Sequence, residues 1–464
     1  MVKQNKNEVI MNSGKNISVN KKDYKAALIS LISLSIPTVL EEIFSTLLQY
    51  VDTAMVGHLG EKATAAVSTT TTIGWLIHSI PSAVAVGMLA VSSKANGAGK
   101  EDKLKKLAGQ SILYAFIVGI VLEIVTLALS PYIPVWMGVE EDIVRPASLY
   151  FSITCITLVF RTSARVFAAM IRSIKDTKSP MYVSLAENML NVILNIIFIY
   201  VLDLKVVGAA IASCISFGVG GIAMFILMLS KTKLRPRLSD IKPDKKIMKE
   251  VFSIGLPALG TTFVSCMGYI VFAAMVSGMG TTIFAAHSIA IAAEEIVYIP
   301  GYGLRAATST LVGNSLGEGD IPKLKATQRI AILITMIKML INGTALFIMA
   351  YPFMQIFSNS INVAVIGSKM LKLVAFSEPF FGLMIVMEGI SYGMGRTKHV
   401  FVCESISMWG VRILCTFVCV KIGGMGLTAV WLCMIADNIC KALLLYVFRP
   451  RYIDGENVNE RINS

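Results

Sequence analysis

The sequence predicts an all-α integral membrane protein, with twelve transmembrane helices in two six-helix lobes related by a parallel pseudo-two-fold repeat. Three observations predict it. Hydrophobic residues make up 55% of the 464-residue chain and charged residues only 15%, against roughly 25% charged in an average soluble protein. Too little polar side chain is present to cover a globule. The apolar residues fall into stretches of the length that a bilayer core requires, about 20 residues per helix. The two halves of the chain also match each other at a fixed offset.

The twelve stretches run over 26–55, 65–92, 107–130, 146–171, 182–202, 206–230, 251–277, 283–312, 327–350, 364–391, 400–421 and 424–447. Several are long enough to tilt or kink. Pro37, Pro81, Pro257, Pro300 and Pro379 fall inside them. A proline there frees a backbone carbonyl, which is tolerated where a neighbouring helix or cavity water satisfies it.

The net charge of +13 follows from topology. With the N-terminus placed inside, the inner loops and tails hold 30 Lys and Arg residues, and the outer loops hold only Lys62, Arg145, Lys205 and Lys421. By the positive-inside rule both termini are cytoplasmic and the span count is even. Nucleic-acid binding is excluded, because it needs basic residues interleaved with polar and aromatic ones on a soluble surface. The first 25 residues are polar and Lys-rich with no early apolar core, so no cleavable signal peptide is expected. The eight cysteines lie in apolar stretches without metal-ligand spacing and read as small apolar fillers.

The longest inner segment, 231–250, sits mid-chain. Residues 1–25 therefore read as an N-terminal tail, 26–230 as an N-lobe, 231–250 as a linker, 251–447 as a C-lobe and 448–464 as a C-terminal tail. A shift of 220 residues aligns Pro37 with Pro257, Met55-Val56 with Met275-Val276, and Gly60 with Gly280. It also aligns Gly97 and Gly99 with Gly317 and Gly319, and Lys103-Leu104-Lys105 with Lys323-Leu324-Lys325. Fifteen of 69 ungapped positions are identical. Six spans per half is even, so the halves share an orientation.

Ionisable groups inside a membrane are costly and point to function by default. Asp52 lies near the outer end of the first span, and its equivalent in the second half is Phe272. Glu41, eleven residues earlier, shares its helical face, and Glu42 points away. Asn188, Asn191 and Asn195 form one amide stripe on the fifth span. Such a stripe is either interhelical glue or a cavity lining whose oxygens ligate a hard cation beside a carboxylate. Ser213 on the sixth span adds a hydroxyl. Glu294 and Glu295 fall near mid-depth in the eighth span, with Tyr298 one turn beyond Glu294. An acid beside an aromatic ring suits an organic cation; the alternative is structural pairing with an Arg or Lys such as Lys338. Glu378, before Pro379, is a further acid at mid-depth. Arg161 and Arg165 read as structurally paired in preference to substrate contacts, Arg412 and Asp437 as an internal ion pair, and His287 as a hydrogen-bonded structural histidine. Glu123 has no assigned role.

These motifs resemble the multidrug and toxic compound extrusion (MATE) family over about residues 25–447. Pro37 with Val51-Asp52-Thr53-Ala54-Met55-Val56-Gly57-His58-Leu59-Gly60 is similar to the family's first-helix signature. Lys175-Asp176-Thr177-Lys178-Ser179-Pro180-Met181 resembles its Gly-Asp-Thr-Lys-x-Pro-Met loop, with Lys175 in place of glycine. Gly313-Asn314-Ser315-Leu316-Gly317-Glu318-Gly319 and Gly393-Met394-Gly395-Arg396-Thr397-Lys398 resemble the turns after helices 8 and 10.

The resemblance implies a bacterial secondary antiporter, not an enzyme, with a V-shaped cavity between its lobes. It would export cationic, amphipathic drugs or toxic organic compounds in exchange for inward H+ or Na+. The family's helix-1 acid corresponds to Asp52, where the coupling ion acts. In one branch an Asn and an Asp on helix 5 and a Thr on helix 6 join it, and here these positions read Asn191, Asn195 and Ser213. The amide at Asn195 leaves both ions open. Another branch uses a helix-7 Glu, where this chain has Ser265. Glu294 matches an acid common in helix 8 of bacterial members. The expected coupling-cation site is thus Asp52, Asn191, Asn195 and Ser213, with no cofactor and no metal beyond Na+ at Asp52. The expected substrate cavity is lined by Glu294, Glu295, Tyr298 and Glu378. The expected partners are small organic cations and membrane lipid, with a functional monomer in the cell (inner) membrane. The rival reading is a flippase for a lipid-linked saccharide, for which Arg161, Arg165 and Arg305 would supply a cationic cavity.

Overall fold

A computed structural model describes residues 19–449 except residue 359; the side chains of Thr71 and Thr72 are also not described. Most of the two expected tails therefore lies outside the described residues. Every regular element among the described residues is helical.

Among the described residues twelve spans follow one another. They are α1 (Lys21–Gly57), α2 (Glu61–Gly97), α3 (Glu101–Leu129), α4 (Glu141–Cys155 and Leu158–Ser173), α5 (Lys178–Val201) and α6 (Lys205–Ser230). The second set is α7 (Lys245–Ser277), α8 (Thr281–Glu318), α9 (Ile321–Phe357), α10 (Ile361–Ala375 and Glu378–Gly393), α11 (Thr397–Ile422) and α12 (Leu427–Val447). Each begins and ends within a few residues of the apolar stretch that predicts it. Ten are single helices long and apolar enough to cross a membrane, and α4 and α10 are bent by 47° and 57° at their breaks. α5 ends in a π-helical turn, and α11 has π-helical turns in its middle and at its end.

The 220-residue repeat is written into the backbone. The breaks in α4 and α10 fall at equivalent positions, after Cys155 and Ala375. Positive φ angles pair in the same way: Gly60 with Gly280, Gly99 with Gly319, and Lys175 (67°) with Gly395 (71°). Lys175 thus occupies a left-handed conformation that favours glycine. Its Nζ donates to Glu318 at 3.0 Å, which helps hold a strained turn in place.

The repeats meet reciprocally. A Cβ added at Gly97 of α2 would collide with the Asn314 carbonyl of α8, and one at Gly317 of α8 with the Lys94 carbonyl of α2. Asn96 Nδ2 donates to Asn314 Oδ1 at 2.7 Å at the same crossing. These positions are related by the repeat, so the pseudo-two-fold axis passes here. α1 crosses α8 as α7 crosses α2. Gly303 sits against Thr38, whose Oγ1 donates to the Gly303 carbonyl at 2.8 Å, and Gly255 sits against Ala83.

The packed core explains the shape. In the half nearest the described chain ends, one cluster joins Val84, Met88 and Phe167 of the first lobe to Ile247, Val251 and Ile254 of α7. Another joins Leu31 and Leu34 of α1 to Leu311, Met339 and Ile385 of the second lobe. Toward the opposite face each lobe packs on itself, around Trp431 and Phe272 in one and around Phe151 and Ile133 in the other. Across that region the lobes touch through Tyr50 with Phe357 and Trp75 with Tyr269. Buried apolar area thus seals one end of the interface and leaves the other less tightly joined.

Candidate transport site

α1 and α5 run parallel, and side chains 143 residues apart meet along them. Ser184 Oγ donates to Glu41 Oε1 at 2.9 Å, Asn188 Nδ2 to Ser45 Oγ at 3.4 Å, and Asn195 Nδ2 to Asp52 Oδ1 at 2.6 Å. This register brings the expected cation group together. Asn191 Nδ2 is 3.2 Å from Ser213 Oγ on α6. Turning the Asn191 amide over places its nitrogen 2.8 Å from both Asp52 oxygens and lets its oxygen accept from Ser213. Asn191 and Asn195 are 7% and 2% exposed. Asn195 Oδ1 is buried without a hydrogen-bond partner. A buried amide oxygen without a partner loses its water interactions uncompensated, so this atom calls for an explanation. Carboxylate, amide and hydroxyl oxygens are hard donors of the kind that suit an alkali cation or a proton.

Glu41 is engaged elsewhere. Its carboxylate accepts from Arg172 Nη2 at 2.7 Å at both oxygens, tying α1 to α4. Glu42, which sequence reasoning sets aside, lies within electrostatic range of Arg165 and Arg172 in the first lobe and Arg305 in the second. Its carboxylate makes no hydrogen bond or ion pair. Tyr150 of α4, also missed, lies within electrostatic range of Asp52. Its signal in the sequence was only its position on α4, whose bend decides what it faces.

In the second lobe Glu294 is 5% exposed and makes no ion pair. Glu295 and Glu378 are close enough to repel it, and Arg412 close enough to attract it. Tyr298 Oη donates to Glu295 Oε1 at 3.4 Å, and its ring lies 4.7 Å from that of Phe381. Glu378 is 1% exposed, packed against Gly343, with Oε2 unpartnered. Lys338 Nζ is also unpartnered, so the alternative pairing of Glu294 with Lys338 does not form.

Behind this wall is a closed charge network. Arg412 Nε donates to Asp437 at 2.8 Å, as the sequence predicts, and Lys441 Nζ to Glu404 at 2.8 Å. Ser265 donates to Glu404 at 2.5 Å and Ser407 to Asp437. Arg305 pairs with Glu388 at 2.8 Å.

Three readings need correction or completion. Arg161 and Arg165 are not structurally paired: neither makes an ion pair, and Arg161 instead lies 4.2 Å from the Phe217 ring centroid. Glu187 of α5 lies within electrostatic range of both but forms an ion pair with neither. His287 packs edge-on against Phe272 and Trp431, and its Nδ1 has no hydrogen-bond partner. Glu123 gains a role: its carboxylate accepts from the Val159 amide at 3.3 Å, capping the second segment of α4 where the break leaves N–H groups free.

A carboxylate–amide group in one repeated six-helix lobe and buried acids in the other define a membrane transporter, with no metal cluster among the described residues. The MatE family profile matches residues 37–197 and 257–437, one copy in each lobe, and the chain belongs to that family. It is 27% identical over 422 residues to the probable multidrug resistance protein NorM of Thermotoga maritima, covering 90% of this chain and 91% of that one. It is 24% identical to the multidrug export protein MepA of Staphylococcus saprophyticus, covering 91% and 94%. The fold is shared with the Vibrio cholerae MATE transporter VcmN (TM-score 0.87, 20% identity, 92% and 97% covered). It is also shared with a MOP superfamily transporter from Pyrococcus furiosus (TM-score 0.86, 20% identity, 94% and 96% covered).

Proposed function

We propose that this chain is a secondary antiporter that exports cationic, amphipathic drugs or toxic organic compounds in exchange for inward H+ or Na+. One observation carries the reading: Asp52, inside a span, meets the amides of Asn195 and Asn191, Ser213 backs Asn191, and the Asn195 oxygen is left without a partner. An amide presents N–H to an ionised carboxylate or oxygen to a cation, depending on which way it is turned. Cation uptake at Asp52 therefore reverses what its neighbours must offer.

α1 transmits the change, because it touches both lobes. Glu41 holds Arg172 of α4, Thr38 holds the Gly303 carbonyl, and Tyr50 donates to the Ala292 carbonyl at 3.2 Å. Pro37 breaks the hydrogen-bond ladder of α1 beside the Thr38 contact and supplies a place to bend. A ligand shifts two states only by binding them differently, so drug release needs weaker binding once Asp52 is neutral. The organic cation is held by Glu294 and Glu295 with the Tyr298 ring, and Glu378 adds negative charge behind them. In this reading the lobes are 26–230 and 251–447, joined by 231–250. Both termini are cytoplasmic in the cell (inner) membrane, the cleft faces outward, and one monomer suffices.

The test is transport in proteoliposomes with H+ and Na+ gradients imposed separately. Ethidium should accumulate under at least one gradient, and Asp52→Asn should abolish this while the protein stays in the membrane. Undiminished transport by that variant would sink the assignment. The flippase reading rests on Arg161 and Arg165, which lack partners. It predicts binding of undecaprenyl diphosphate without gradient-driven export of organic cations.

A further inference from the structure

The second lobe holds a pair of thiols that transport does not use. All eight cysteines are free. Two of them meet: Cys433 Sγ of α12 lies 3.9 Å from Cys419 Sγ of α11. That is sulfur-to-sulfur contact between two spans. The two thiols differ in access, because Cys433 is 7% exposed and Cys419 is only half-buried.

The helices explain the meeting. α11 and α12 are joined by the short hairpin Gly423-Gly424-Met425-Gly426. Cys419 lies three residues inside α11 and Cys433 six inside α12, about 4.5 and 9 Å from the hairpin by the helical rise. Residues two apart on a helix point to nearly opposite sides, so α12 turns Trp431 to His287 of α8 and Cys433 to α11. One turn deeper the two helices are already tied, since Arg412 Nε and Ser407 Oγ both donate to Asp437. Toward the hairpin the backbone loosens. Residues 418–422 form a π-helical turn, Gly424 has a φ of 59°, and every residue from 421 to 426 is exposed. A disulfide needs its sulfurs about 2.0 Å apart. The wide turn and the glycine hairpin give α11 room for that approach.

We propose that Cys419 and Cys433 form a dithiol site that low-molecular-weight disulfides oxidise to an intramolecular bridge. The bridge clamps the hairpin end of α11 to α12. It forms by two successive exchanges. Cys419, the more accessible thiol, attacks one sulfur of the disulfide RSSR, giving a mixed disulfide and releasing RSH. Cys433 then attacks the Cys419 sulfur, and the second RSH leaves. The two cysteines lose one electron each, RSSR gains both, and the two thiol protons depart on the released RSH molecules. Closing this short loop restricts the unfolded chain, so the bridged protein resists heat better. Neither the bridge nor its clamp depends on the coupling ion or the drug.

Oxidised glutathione, added to the purified and reduced full-length protein, tests this. Trypsin cuts after Arg412, Lys421 and Lys441, so a bridge between Cys419 and Cys433 joins two otherwise separate peptides. After the remaining thiols are alkylated, mass spectrometry should find that linked pair in the oxidised wild type. Dithiothreitol should remove it. Cys415→Ser and Cys440→Ser should retain the link, which separates it from mere accessibility at Cys415. Cys419→Ser and Cys433→Ser should lose it, and their unchanged elution in size-exclusion chromatography would report that they are folded. The midpoint of thermal aggregation should rise on oxidation of the wild type, return on reduction, and stay constant in Cys419→Ser. If Cys419 and Cys433 both remain alkylatable after oxidation, or the link survives Cys419→Ser, the site is overturned. A bridge that forms without raising the midpoint overturns the clamp.

Discussion

Asn195 donates a 2.6 Å hydrogen bond to Asp52 across the α1–α5 interface, with 143 residues between them in the chain. The same separation recurs at Glu41 with Ser184 and at Ser45 with Asn188. The contact is therefore one rung of a parallel register fixed along two whole helices, which places it with the accuracy of the scaffold.

Asn195→Leu removes both the donor to Asp52 and the unpartnered oxygen while leaving the carboxylate. The ion concentration that half-saturates transport should rise by about tenfold, the scale of one hydrogen bond to a charged group. Transport at saturating gradient should fall less than in Asp52→Asn. An unchanged ion dependence in the proteoliposome assay would remove Asn195 from the cation site.

Glu294→Gln removes a buried negative charge with little change of shape. Affinity for monocationic substrates should drop, and affinity for neutral ones of similar size should hold. Competition binding with matched charged and neutral dyes checks this. Equal loss for both would reduce Glu294 to a packing role.

The Arg412–Asp437 pair is 2.8 Å long and almost fully buried. Asp437→Ala strands a guanidinium, and breaking a buried pair costs about 3–5 kcal/mol. The midpoint of thermal aggregation, followed by size-exclusion chromatography, should fall sharply. Arg412→Met with Asp437→Leu should regain a large part of it, because no lone charge remains. A double variant no better than the single one would show that the network with Lys441 and Glu404 acts as a unit.

Gly97 sits where a Cβ would strike the Asn314 carbonyl on the pseudo-two-fold axis. Gly97→Val should pry apart the sealed end of the lobe interface. A cysteine at Ser93, buried in that seal, should then react faster with a polar maleimide than in the native background. Equal labelling would show that the crossing does not set the seal.

Much of the fold was legible before any coordinates. Spans are set by hydropathy and length, which are local, and the repeat survived in glycine and proline positions because backbone geometry constrains them. Lys175 is instructive. The motif asks for glycine there, and the positive φ shows why, while the Glu318 contact that accompanies the exception lies 143 residues away. The site was less legible. Asp52, Asn191, Asn195 and Ser213 could be grouped because helical period puts the amides on one face. Glu42 was set aside because the same period points it away from Asp52, and only helix packing brings it within electrostatic range of Arg165.

The sequence by itself determined twelve spans, their pairing into two equivalent halves, and the few ionisable residues placed inside the membrane. Hydrophobic length, charge in the loops and periodicity along a helix are properties of the chain alone. The tertiary structure decided which of those residues have partners. Arg412 found Asp437 and Glu41 found Arg172, whereas Arg161, Arg165 and the Asn195 oxygen were left without one. Partnership depends on the bend in α4, the parallel register of α1 and α5 and the crossing of α2 with α8. Each of these is set by side chains and close backbone approaches from helices far apart in sequence, and no single stretch of sequence holds that information.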